Sequence, residues 1–184
     1  MIDQEIYKVL LPIKFKTIEK IKENLKEDPK KLNIIKSAVP TLNVYSTFER
    51  TFSTHLGYAL QEVAAKCGES VVDLDKEGRE LGIDLRTLFG EGQLKSNGNT
   101  QTGTHTKDSI NKLLETTSIN GTNPFFAVAL GKSYDYIDKN GVLRIGGKKF
   151  WEKIGVEYDN LYDTIVKLIQ DTYDEVERTI IPTL

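Results

Sequence analysis

Phe125 to Leu130 reads FFAVAL, an unbroken apolar run that ends at Gly131. An apolar strand without alternation must be covered on both of its faces, so the sheet that holds it needs layers on each side. That requirement points to a mixed α/β sandwich, and the rest of the chain supplies the layers. In the first part, Phe15, Ile18, Ile21 and Leu25 recur at helical spacing with lysines between them. Pro12, Pro29 and Pro40 should start or end short helices there. A longer helix is expected from Ser46 or Thr47, as N-cap, to about Lys66. Its residues Phe48, Phe52, Leu56, Ala59 and Val63 fall on one arc at helical period. Gly57 inside it costs about 1 kcal/mol, which hints at a close neighbour.

After residue 67 the period changes. Val71 to Leu74, Ile83 to Leu85 and Gly92 to Lys95 read as short strands, followed by the polar loop SNGNTQTGTHT from Ser96 to Thr106. Thr106 or Asp108 can cap a crossover helix through Ile110, Leu113 and Leu114. Gly131, Asp138 to Gly141 and Gly146-Gly147 are turns. Leu161, Ile165, Leu168, Val176 and Ile180 mark a final helix with a core or dimer stripe, Tyr173 lying one position off register. The expected layout is one domain over residues 1–184: a helical part to residue 40, a core over 45–162, and a C-terminal helix over 157–181.

Composition excludes several classes. With 39% apolar residues, 14 Gly, 5 Pro and one cysteine, the chain is neither collagenous, low-complexity nor disulfide-stapled. No apolar run reaches membrane-spanning length, and the first residues lack the basic start and apolar stretch of a signal peptide, so a cytoplasmic protein is expected. The formal net charge of −2 hides an uneven distribution, in which residues 92–153 carry 9 basic and 5 acidic side chains and residues 157–178 carry 2 and 7. A local basic surface for a polyanion is compatible with that distribution, as is an ordinary solvated face.

The chemistry-bearing residues lie in the strand-rich centre. Asp84 follows Ile83 in one expected strand, and Gln93-Leu94-Lys95 stands nine residues on. Alternation puts Gln93 and Lys95 on one face with Leu94 turned inward, and Glu91 on the same face if the strand starts early. A bent antiparallel pair then brings a carboxylate, an amide oxygen and an ammonium together. Oxygen donors of this kind suit Mg²⁺, which keeps waters that a phosphate can displace. Such a metal can activate water and neutralise charge on a phosphodiester, with the lysine stabilising that charge. On spacing alone, the same residues read rather as an exposed strand-end carboxylate and a snorkelling surface lysine.

The stretch GID at Gly82 to Asp84, then QLKS at Gln93 to Ser96 and the turn NGNTQTG, resembles the PD-(D/E)XK nucleases, particularly small type II restriction endonucleases. RTFSTHLGYALQE from Arg50 and GKKFWEKIG from Gly147 to Gly155 are similar to further parts of that family, and the likeness covers about Tyr45 to Tyr162. The resemblance implies a restriction-endonuclease-like fold and site-specific, Mg²⁺-dependent hydrolysis of double-stranded DNA. It implies Asp84, Gln93, Lys95 and Glu62 as catalytic residues, with Asp84, Gln93 and Glu91 on the metal. Gln93 departs from the acid most members have, and either Glu91, Glu62 or Gln61 would complete the set. Ser96, Asn97, Asn99, Thr100, His105 and Lys107 are the expected DNA contacts. A homodimer would cut both strands, and a cognate DNA methyltransferase would be the functional partner. The alternative is a non-catalytic DNA-binding or assembly protein on the same fold. Elsewhere, His55 reads as structural, Phe150 and Trp151 as core, and Cys67 as unreactive.

Overall fold

The computed structural model describes residues 2–27, 34–76, 82–97 and 103–184. Helices α1 (Ile2–Asn24), α2 (Ile34–Ala38) and α3 (Pro40–Cys67) come first. Strands β1 (Val72–Asp73), β2 (Leu85–Thr87) and β3 (Gly90–Lys95) follow, then α4 (Gly103–Asn120) crosses to β4 (Pro124–Val128). Strands β5 (Tyr134–Ile137) and β6 (Leu143–Gly146), a short α5 (Lys148–Lys153) and α6 (Tyr158–Thr179) complete the chain.

The six strands form one mixed sheet in the order β1-β2-β3-β4-β6-β5. β1, β2 and β3 are an antiparallel meander, while β3, β4 and β6 are parallel and β5 returns antiparallel to β6. β4 is central, as its apolar run requires. Phe125 and Ala127 join a core formed with α1, α3, α5 and α6, whereas Phe126 and Val128 pack with Leu113 of α4 on the opposite face. Leu85 and Leu94 belong to the first core. Strand alternation therefore turns Gln93 and Lys95 towards the α4 side.

Three local readings of the helices change. α3 starts at Pro40, not at Ser46 or Thr47: proline fits the first helical turn, and Ser46 instead donates to the Asn43 carbonyl at 3.1 Å. Thr47 is buried and accepts from Asn24 Nδ2 at 3.1 Å. α1 runs straight through Pro12, because Ile6, Leu10 and Ile13 on both sides of it are buried against α3 and hold the helix together. A Cβ at Gly57 would meet nothing within 4 Å, so no close neighbour accounts for that glycine. The α6 stripe is core: Leu161, Ile165, Leu168 and Val176 are buried, and Tyr173 is exposed.

Gly92 is the glycine the sheet depends on. A Cβ there would stand 2.0 Å from the Phe125 carbonyl oxygen and 2.5 Å from its ring. Gly92→Ala should cost about 1–3 kcal/mol by forcing β3 from β4, read as a Tm lowered by several degrees. An unchanged Tm would contradict that close approach.

Candidate functional site

The site is built by the β2–β3 pairing. Leu85 stands opposite Gly92, so the residue before β2 lies beside the middle of β3. Asp84 N donates to the Gly92 carbonyl at 2.9 Å, and the Asp84 carbonyl accepts from Leu74 N at 2.9 Å. The side chain then turns back on β3. Asp84 Oδ2 accepts from Leu94 N at 2.8 Å and lies 3.6 Å from Lys95 Nζ. Asp84 and Lys95 are thus brought together.

Asp84 is buried, not an exposed strand-end residue. Burial pushes its carboxyl above the ordinary range, opposed by the Lys95 ammonium, the Leu94 N–H and Gln61. These donors offset the penalty of placing a charge there. Gln93 lies over the same segment, its Nε2 donating to the Gly82 carbonyl at 2.6 Å. That carbonyl fixes the amide orientation, since a flip would set two acceptors against each other. Gln93 Oε1 is buried without a hydrogen-bond partner among the described residues.

The two helix candidates separate. Gln61 is the α3 residue within hydrogen-bonding reach of Asp84. Glu62 points elsewhere, pairing with Lys66 at 2.8 Å and with Lys76 at 3.2 Å. The Lys66 contact, with Lys76 assisting and burial opposing, holds its carboxyl below the ordinary range. Glu91 is on the expected face but is committed at the other end of β3. Its carboxylate accepts from Arg86 Nε at 2.6 Å, Asn120 Nδ2 at 2.8 Å and Thr122 Oγ1 at 3.1 Å. Fully buried and held by three partners, it is a lock between the hairpin and α4 rather than a free ligand.

Asp75 was not singled out by the sequence. Its neighbour Leu74 is tied to the Asp84 carbonyl, which brings Asp75 alongside the site. Partial burial and then the negative charges of Asp84 and Asp73 push its carboxyl up, against the pull of Lys95. The alternation VDLD was the available signal, a second acid two residues beyond a strand that pairs with the segment following Asp84.

Of the expected DNA contacts, Asn99 and Thr100 lie outside the described residues. Ser96 and Asn97 follow β3 directly, with the Ser96 carbonyl accepting from Leu130 N at 3.0 Å. His105 is on helix α4, not in a loop, because that helix begins at Gly103; Lys107 is exposed in its second turn. Phe150 and Trp151 are core, and Trp151 Nε1 donates to the Ala129 carbonyl at 2.7 Å.

The oxygen donors suit a hard cation of modest demands. Among the described residues no three Asp, Glu, His or Cys side chains converge on one point. What the site has is one buried carboxylate, an unsatisfied amide oxygen and a nearby second carboxylate, and Mg²⁺ commonly takes one or two carboxylates and completes its shell with water and phosphate. No protein-family model matches the chain, and no curated protein matches its sequence.

The Glu91 lock has a pH signature. Burial favours its neutral form, but the hydrogen bonds from Asn120, Arg86 and Thr122 outweigh it and keep the carboxyl below its ordinary value. A carboxylate depressed in this way stabilises the fold above its unfolded pKa and loses that contribution as pH falls through the folded one. Glu91→Gln should therefore cost about 2–3 kcal/mol at neutral pH, with the difference shrinking in acid below the ordinary glutamate value. Urea unfolding at pH 7 and pH 3.5 checks this, and an equal cost at both would contradict it.

Proposed function

We propose that the protein is a site-specific endonuclease that hydrolyses phosphodiester bonds in double-stranded DNA with Mg²⁺, on a restriction-endonuclease-like fold. One observation carries the reading: the buried Asp84 carboxylate holds Lys95 on one oxygen, and Gln93, on the same face of β3 as Lys95, keeps a buried amide oxygen without a hydrogen-bond partner among the described residues. A buried acceptor left unpaired costs free energy, and a cation or its water is the partner that would recover it. Asp84 and Gln93 Oε1 would hold the Mg²⁺, which when bound supplies neutralising charge and a more acidic water.

The chain's own groups divide the remaining work. Leu94 N–H fixes the orientation of the Asp84 carboxylate, and Gln61 stands near it from α3. Lys95, reaching solvent from a mostly buried stem, presents its ammonium to the phosphate oxygens, where charge grows as water adds to phosphorus and the sugar oxygen departs. Asp75 adds negative charge at the edge of the site and makes up in part for the neutral Gln93. A homodimer would set two such sites on the two strands of a near-palindrome, with a cognate methyltransferase protecting the host's own sites. The neutral amide at Gln93 favours a second reading, a DNA-binding relative without activity.

Substitutions separate the two. Asp84→Asn keeps an acceptor for Leu94 N–H and removes the charge, so plasmid cleavage in Mg²⁺ should fall at least about 100-fold while the circular dichroism spectrum is kept. Lys95→Ala should do the same, without rescue by more Mg²⁺. Gln93→Glu should retain cleavage and lower the Mg²⁺ concentration needed. Full cleavage by purified Asp84→Asn protein would end this mechanism, and absence of cleavage by the wild type under all Mg²⁺ conditions would leave the binding reading.

A further inference from the structure

Helices α1 and α3 pack through apolar residues on one side and leave a polar groove on the other. The groove consists of two adjoining clefts of about 620 and 660 Å³ that share Lys16 and His55. Its cations fall into two groups. Lys20 is paired with Glu23 at 3.0 Å and Lys66 with Glu62 at 2.8 Å. Lys16, Lys36 and Arg50, from three different helices, make no ion pair among the described residues, and all three line the first cleft with the hydroxyls of Thr51 and Thr54. The Lys16 charge is felt at His55, whose pKa is lowered by burial and by that ammonium.

The groove also has a direction. Its second cleft is bordered by Glu62, which reaches across 3.2 Å to Lys76 beside the β1 edge of the site, and the preceding residue, Gln61, reaches Asp84. From Gln61 to Arg50, eleven helical residues span about 16 Å. That equals the rise of about five base pairs.

We propose that this groove is a phosphate track for duplex DNA flanking the cut, with Lys16, Lys36 and Arg50 each neutralising a backbone phosphate. The inference rests on the nuclease reading for the identity of its ligand. The first cleft sets Lys16, Lys20, Lys36 and Arg50 against the carboxylates of Glu19 and Glu23, and an excess of cations near hydroxyls is what backbone contacts use to position DNA without reading its sequence.

The test compares wild type with Lys16→Gln/Lys36→Gln/Arg50→Gln, measuring binding to a random-sequence duplex in Ca²⁺ at increasing salt. Three lost phosphate contacts should reduce the slope of log K against log salt by about 2–3. An unchanged slope, in a variant of unchanged Tm, overturns the track even if the wild type cleaves DNA. A reduced slope in a protein that does not cleave keeps the track and removes the nuclease reading. Tight binding of inorganic pyrophosphate to the groove, with DNA binding unaffected by the substitutions, would also overturn it.

Discussion

Asp84 is a buried carboxylate whose charge is tolerated because β3 offers it both a backbone N–H and an ammonium. That contact ties the meander to the chemistry. The Leu94 N–H reaches Asp84 Oδ2 only if Leu85 stands opposite Gly92, and a slip of one residue would turn Gln93 and Lys95 to the wrong face. The same register lets Gly92 approach Phe125 closely enough for β4 to sit in the centre of the sheet. Glu91 then closes the far end of β3 onto α4.

β3 therefore does two jobs with alternate residues of one face. Glu91 is fully satisfied and belongs to stability; Gln93 is half satisfied, and Lys95 reaches solvent. The strand thus runs from a closed end at Glu91 to an open end at Lys95, which the residues Ser96 and Asn97 follow directly. Most buried acceptors in a fold are paired, and Gln93 Oε1 has no partner among the described residues.

The Phe125 run, the β2–β3 pairing, the α3 and α6 apolar stripes and the proximity of Asp84 to Lys95 were legible because each follows from side-chain period and spacing. The errors arose where tertiary packing overrode local punctuation. Pro12 did not stop α1, since burial on both sides of it outweighs one lost hydrogen bond. α4 began ahead of the expected caps, so His105 changed from loop to helix. The choice between Gln61 and Glu62 depended on how α3 is rotated against the sheet, which an arc of five apolar residues fixes only to within about one position. Glu91 and Asp75 exchanged significance for a similar reason. Partners at Asn120 and Thr122, some thirty residues away, cannot be read from the strand that holds Glu91.

The central claim is that this cluster cuts DNA at a defined sequence when Mg²⁺ is supplied. The most direct measurement is fragment-end mapping of a sequenced plasmid incubated with the wild-type protein in Mg²⁺ and, in parallel, in EDTA. The account predicts ends that recur at one short sequence in Mg²⁺ and none in EDTA. Ends scattered without sequence preference, or the same ends in both conditions, would contradict it.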